Sequence, residues 1–154
     1  MSTDRIEKTI ILRAPRARVW RALTRADEFG AWFGVALEGA IAPHARLAGR
    51  FTTPGHEHLT MEITVERVEP EHLLSYRWHP YALESGVDYA GEPTTLVEFH
   101  LAEVTGGTQL IVVESGFDGI PLARRATAFR MNEQGWEEQL THIGRYVQTQ
   151  HGEG

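Results

Sequence analysis

The chain has 154 residues, the length of one domain, which is enough to bury roughly 70% of the surface that the unfolded chain would expose. It contains no cysteine, which excludes disulfides and thiolate chemistry and suits a reducing compartment, so we expect a cytoplasmic protein. With 15 Lys and Arg against 21 Asp and Glu, the formal net charge is −6, and because no basic stripe stands out we expect no nucleic-acid partner.

The N-terminal part of the sequence predicts one strand followed by two short helices. The segment "RIEKTIIL" (residues 5–12) has strand character, and Pro15 fits the first turn of a helix, where its missing N–H costs nothing. A second helix around residues 26–33 carries aromatic residues on one face and ends before Gly34. The start of the chain lacks a signal-peptide pattern, and no later run is long enough to span a membrane.

The middle of the sequence predicts an antiparallel meander. Strand segments lie around residues 35–41 and 50–53 and in "MEITVERV", "LLSYRW", "LVEFHLAEV" and "TQLIVVES". Apolar and polar residues alternate in several of them, so these strands have one dry and one wet face. In "VTGGTQ", Gly106 and Gly107 predict a two-residue hairpin turn to which both glycines supply positive φ.

A long connection of 17 residues, "HPYALESGVDYAGEPTT" (residues 79–95), separates two of these strands. Loops of this length are uncommon unless they form lids or are disordered. Its two prolines, with Tyr81 and Tyr89, suit a lid over the open end of the sheet, and a plain surface loop is the alternative.

The last third of the sequence predicts one long amphipathic helix, from about Pro121 to near Gln150. Its apolar stripe consists of Trp136, Leu140, Ile143 and Val147. Gly135, with no side chain, is expected to let the helix approach a partner closely. A stripe of this length needs an apolar surface to match it, and the dry face of the sheet provides one.

We therefore predict an α+β fold in a single domain, residues 1–154 with an ordered core at about 4–150. A curved antiparallel sheet of six or seven strands wraps around the long C-terminal helix, and two short helices follow the first strand.

Four stretches carry a resemblance to a known family: "APRARVWRALT" (14–24), "WF" (32–33), "ESGF" (114–117) and "GWEEQL" (135–140). In this order they resemble the SRPBCC or START-like superfamily, in particular the family named after the activator of the heat-shock protein 90 ATPase. The resemblance implies a helix-grip fold, with a cavity between sheet and helix that the short helices cap. Members of the superfamily bind lipids, hormones or polyketides, and some are cyclases, dehydratases or hydrolases. The eukaryotic co-chaperone carries a separate N-terminal domain for chaperone contact, for which we expect no room here.

The residues assigned to the interior are candidate ligand-binding residues. All but one have large aromatic or apolar side chains; they are Trp32, Phe33, Phe51, Met61, Tyr76, Trp78, Phe99, Glu114, Phe129, Trp136 and Leu140. They either fill a close-packed core or line a hollow of ligand size, and the sequence leaves both open.

Glu114 is the polar member of this set. If Leu110 and Val112 face inward, alternation along the strand also turns Glu114 inward, to the mouth of the cavity. If Ile111 and Val113 face inward instead, Glu114 lies in water. A bulge could reverse the phase. The inward alternative rests on the polar residue that related folds place here, and it predicts that Glu114→Gln increases stability at neutral pH, since burial disfavours the charged form.

Other chemistry finds little support in the sequence. His56 and His58 share one side of an extended segment, but no third ligand stands at a recognisable spacing, so we expect no metal. Ser115 lacks the setting of a nucleophile elbow, and no phosphate-binding glycine loop is present, so we expect neither a catalytic serine nor a nucleotide cofactor.

These observations predict a protein that binds an apolar or amphipathic small molecule, lipid-like, polyketide-like or aromatic, without any cofactor. One alternative is an interaction module that assists a chaperone. Another is a cofactor-independent cyclase or hydrolase that pairs Glu114 with His79, His100 or Tyr76, although no triad-like spacing supports it. We expect no catalytic residues, and the protein is either a monomer or a homodimer.

Overall fold

The structure, a computed structural model, describes residues 5–79 and 93–152. The strands are β1 (Arg5–Leu12), β2 (Val35–Glu38), β3 (Arg46–Phe51), β4 (Thr60–Glu69), β5 (Leu73–Trp78), β6 (Thr95–Val104) and β7 (Gly107–Ser115). The helices are α1 (Arg16–Thr24), α2 (Ala26–Phe33) and α3 (Leu122–Gly152), with a 3-10 turn at Phe117–Gly119. Residues 80–92 of the predicted lid, with Tyr81 and Tyr89, lie outside the described ranges, so the lid stays a prediction, while its last residue, Thr95, is the first residue of β6.

All seven strands belong to one curved antiparallel sheet in the order β1-β7-β6-β5-β4-β3-β2. Alternation puts most apolar residues of the strands on the concave face, where α3 lies, because side chains of a strand point to opposite faces in turn; Ile11 of β1 is an exposed exception. The apolar stripe of α3 is buried against this face, as predicted. Among the helices that the structure describes, none is both long and apolar enough to cross a bilayer.

Two strand boundaries differ from the sequence prediction. The strand expected at residues 50–53 is β3, which starts at Arg46, and the strand expected to reach residue 41 ends at Glu38. Gly39 has a φ of 113° and breaks β2 there. Gly49 weakens the strand signal of β3, yet the packing requires it, since a Cβ would lie 2.2 Å from the Ala36 carbonyl oxygen of β2.

The hairpin between β6 and β7 is confirmed, but its turn consists of Thr105 and Gly106. Val104 pairs with Gly107, so Gly107 is the first residue of β7 and only Gly106 has a positive φ, of 84°. Gly107 serves close packing, because a Cβ there would lie 2.0 Å from the Leu12 carbonyl oxygen.

The expectation for Gly135 is wrong. A Cβ at Gly135 would meet no atom within 4 Å, so this glycine brings nothing closer. The glycine of α3 that faces the sheet is Gly144, where a Cβ would lie 3.5 Å from Leu12 and 3.6 Å from Ile10.

A partly buried polar cluster joins the two short helices to α3. Glu28 of α2 accepts hydrogen bonds from Arg18 Nη1 (2.7 Å) and Arg21 Nε (2.9 Å) of α1. It also accepts one from the Tyr146 hydroxyl of α3, at 3.1 Å. Burial is the main cause that raises the pKa of Tyr146, so this hydroxyl stays protonated and remains a donor at neutral pH. The cluster fixes α1 and α2 against the long helix.

Candidate functional site

Glu114 faces inward at the end of β7. Leu110, Val112 and Glu114 alternate on the concave face, and none of them has any solvent exposure. The competing phase, with Ile111 and Val113 inward, is therefore excluded. The sequence predicted this carboxylate as a site residue, but it did not predict the side chains that surround the carboxylate.

Among the residues that the structure describes, four side chains donate hydrogen bonds to the Glu114 carboxylate. Trp78 Nε1 at the end of β5 (2.8 Å) and Thr95 Oγ1 at the start of β6 (2.5 Å) donate to Oε2. Trp136 Nε1 of α3 donates to Oε1 at 2.8 Å, and Asn132 Nδ2 lies 2.9 Å from Oε1 and 3.1 Å from Oε2. An ionised carboxylate only accepts, so a shell of donors suits the charged form.

The charge of Glu114 is not balanced by a cation in the described part of the chain. No Lys, Arg or His nitrogen there lies within 4.0 Å of its oxygens. Residues 80–92 contain no Lys, Arg or His at all. These donors satisfy the hydrogen-bonding capacity of the carboxylate and bring no formal positive charge to it.

Tyr76 lies on the same face, in one row with Glu114 across the sheet. Tyr76 pairs with Val97 and Val97 pairs with Glu114 in the antiparallel register. The Tyr76 side chain is fully buried, and its hydroxyl has no hydrogen-bond partner among the described residues. Burial, followed by the negative charge of Glu114, raises the pKa of Tyr76 well above its ordinary value, so the phenol stays neutral.

Aromatic rings surround this row. The Trp136 ring centre lies 5.7 Å from that of Phe99, 5.8 Å from Trp78 and 6.2 Å from Phe33. Tyr76 lies 5.5 Å from Trp78 and 6.0 Å from Phe99. These distances are those of rings in contact. Trp78 is the partly exposed member, so its ring connects the interior with the outside.

The remaining predicted site residues lie around this group. Trp32 contacts Phe33 at 5.6 Å but turns its N–H to the Ala22 carbonyl oxygen of α1. Met61 and Leu140 are buried in the same core, which Phe51 flanks from β3. Phe129 packs against Phe117, with ring centres 5.2 Å apart.

The sequence analysis missed three residues of this site: Phe29, Thr95 and Asn132. Thr95 continues the inward alternation of Val97 one step back along β6. Asn132 lies four residues before Trp136 and so occupies the same face of α3. Phe29 contacts the rings of Trp32 (4.9 Å) and Phe33 (5.0 Å) within α2. The signals of Thr95 and Asn132 were present, but polar residues on an apolar stripe look like ordinary breaks in it.

The structure excludes one of the acid-base partners that the sequence suggested for Glu114. His100 points to the convex face, where its Nε2 lies 3.8 Å from Glu98, so it cannot reach Glu114. The Glu114 oxygens already accept from four donors. His56 and His58 are exposed, and no group of side chains that could hold a metal ion occurs within the described ranges.

Comparison with known proteins identifies the relatives of this chain. The model of the family described as "Activator of Hsp90 ATPase homolog 1-like protein" matches residues 13–148. No curated protein matches. Protein MLL2253 from Mesorhizobium loti is similar in structure, with a TM-score of 0.73 at 24% identity over 93% of this chain and 96% of that one.

Two further structures share the fold. DynU16, a protein in the dynemicin biosynthetic locus, has a TM-score of 0.72 at 26% identity over 95% of this chain, which spans 48% of that one. The Aha1 dimer from Colwellia psychrerythraea has a TM-score of 0.71 at 16% identity over 94% of this chain and 96% of that one.

Proposed function

The chain belongs to the family of activator of Hsp90 ATPase homolog 1-like proteins, and on that premise we propose that it binds an apolar or amphipathic small molecule between its sheet and α3. The observation that carries the proposal is Glu114, a fully buried carboxylate among aromatic rings. A ligand-sized cavity in this interior remains a prediction.

The physical argument starts from the cost of burying this charge. Removing a carboxylate from water costs several kcal/mol even after the protein relaxes, and an apolar residue would stabilise the interior at least as well. Pockets for small molecules combine apolar and aromatic walls with a few oriented polar groups. Glu114 with its four donors, and the unpaired Tyr76 hydroxyl, are the polar groups of such a site.

A biosynthetic relative supports the same class of function. DynU16, at 26% identity, comes from a biosynthetic locus. A chaperone-assisting module, the alternative, rests on the description of the family alone. A cofactor-independent cyclase or hydrolase is disfavoured because both Glu114 oxygens already accept hydrogen bonds from side chains of the described residues.

Ligand titration tests the proposal. Fatty acids, flavonoids and polyketides are titrated while tryptophan emission and the melting temperature are followed. Because Trp78 and Trp136 flank Glu114, a bound ligand should change their emission. A ligand at 100 times its Kd should stabilise the protein by about 2.7 kcal/mol.

Two matched variants locate the binding site. The emission change should survive in Trp20→Phe, since Trp20 lies on α1 outside the Glu114 group, and should shrink in Trp78→Phe. If no compound shifts either the emission or the melting temperature, the binding proposal fails. Stable association with a heat-shock protein 90 chaperone would then favour the alternative.

A further inference from the structure

We propose that the ligand carries a positive charge: a primary ammonium group on an apolar body, seated beside Glu114. The inference rests on the proposed function and narrows its ligand class. Three observations lead to it: the charge of Glu114, the orientation of two indole rings, and the unpaired hydroxyl of Tyr76.

The first observation is an unbalanced charge. Neutral N–H and O–H groups hold the Glu114 carboxylate, and in the described part of the chain no cation pairs with it. Hydrogen bonds satisfy its lone pairs but leave a full negative charge in an interior of low polarity, where charges interact far more strongly than in water. This charge attracts a cationic ligand and repels an anionic one, so fatty acids are poor candidates.

The second observation is the pair of indole rings. Trp78 and Trp136 both donate their N–H to Glu114, at 2.8 Å each, and their ring planes are inclined by 33°. Donation to an anion increases electron density in the ring, which strengthens the attraction of its face for a cation. Indole is already the best cation–π partner among the side chains. Trp78 is partly exposed, whereas Trp136 is buried.

The third observation is the Tyr76 hydroxyl, fully buried and without a partner in the described residues. It lies two strands from Glu114 in the same row, beside the ring of Trp78. A neutral phenol oxygen accepts a hydrogen bond from an N–H donor. A protonated amine supplies such donors, three of them when it is primary, whereas a quaternary ammonium supplies none, so the Tyr76 hydroxyl favours a primary amine.

Three probes of similar size separate charge from shape: phenethylammonium, its uncharged isostere propylbenzene, and the anion hydrocinnamate. The full-length wild-type protein should bind phenethylammonium about tenfold more tightly than propylbenzene, as expected for a partly desolvated cation–π site. Hydrocinnamate should bind more weakly than both. Affinities are measured by calorimetry, with tryptophan emission as a second signal.

Variants assign the preference to residues. Glu114→Gln should abolish the preference for phenethylammonium over propylbenzene, while Glu62→Gln, an exposed change on the convex face of β4, should leave it intact. Tyr76→Phe should lower the affinity for phenethylammonium about threefold, which is within the range of one lost hydrogen bond. The affinity for propylbenzene should not change.

The wild-type comparison decides the question even if Glu114→Gln does not fold. Equal or tighter binding of propylbenzene overturns the inference and leaves the proposed function standing. If none of the three probes binds but larger apolar compounds do, the inference is likewise overturned and the proposed function still stands. If the larger compounds also fail, the proposed function fails with it.

Discussion

Glutamate and glutamine at position 114 differ only in one oxygen that becomes an NH2 group. That NH2 group decides whether Glu114→Gln raises or lowers the stability. An amide nitrogen in place of either oxygen would point its hydrogens at an indole N–H, that of Trp136 or that of Trp78, and an indole nitrogen can only donate. A buried donor left without an acceptor costs about 1–3 kcal/mol. We expect Glu114→Gln to lower the free energy of unfolding by about 2 kcal/mol in urea titrations at neutral pH.

The exposed change Glu62→Gln serves as the control and should alter the stability by less than about 0.5 kcal/mol. A Glu114→Gln protein as stable as the wild type would mean that the four hydrogen bonds do not form. From the sequence the opposite sign was expected, because alternation along β7 shows which way Glu114 points but not that Trp78, Thr95, Asn132 and Trp136 converge on it.

The Tyr76 hydroxyl gives a second prediction at this scale. Burying a hydroxyl without a partner costs about 1–3 kcal/mol. Tyr76→Phe keeps the ring contacts with Trp78 and Phe99 and removes only that group, so it should raise the free energy of unfolding by about 1 kcal/mol in the unliganded protein. A loss of stability in thermal and urea unfolding would reveal a hydrogen bond to the hydroxyl.

At the scale of single elements, two helical glycines of opposite character allow a matched test. Gly135 of α3 has open space around the position of a Cβ, whereas a Cβ at Gly30 of α2 would lie 2.1 Å from the Val35 carbonyl oxygen. Alanine is better than glycine in a helix by about 0.5–1 kcal/mol. Gly135→Ala should therefore stabilise the protein by that amount in urea unfolding.

Gly30→Ala should instead destabilise it by about 3 kcal/mol or more, because the backbone of β2 would have to move. Equal effects of the two substitutions would contradict the packing of α2 against β2. Gly30 and Gly135 also show what can be predicted from the sequence of an element. The sequence predicts each helix, but it does not predict which glycine lies against a neighbouring backbone.

The elements that sequence predicted best are those with strong periodicity. The stripe of α3 and the alternation of β4 to β6 recur over many residues, so their faces were predicted correctly, whereas the sequence left the phase of β7 open. The turn at Thr105 and Gly106 and the start of β3 at Arg46 were misjudged. In both places a glycine is required by contact with another strand, which local composition does not reveal.

At the scale of the whole molecule, the resemblance of four short motifs predicted the fold, and the family match covers most of the chain. What the motifs could not predict is how the interior is occupied. Whether rings in contact enclose a space or fill it depends on side-chain packing to within an ångström, and a sequence does not encode that directly. The sequence could therefore predict Glu114 as a site residue, whereas the ligand class is inferred from the charge and geometry around it.

Trp136 is the residue at which the layers of the molecule meet. Its ring contacts Phe33 of α2, Trp78 of β5 and Phe99 of β6, while its N–H bonds Glu114 of β7. Trp136→Ala removes the packing and the hydrogen bond together and should lower the free energy of unfolding by about 3–5 kcal/mol.

Trp136→Phe separates the two contributions, because it keeps a buried ring and removes the N–H donor to Glu114. We expect it to cost about 1–2 kcal/mol, with three donors still holding the carboxylate. Glu138→Ala, an exposed change on the same helix, should stay within about 0.5 kcal/mol of the wild type in the same urea titrations. A Trp136→Ala cost below about 1 kcal/mol would place the ring at the surface and contradict the seating of α3 in the sheet.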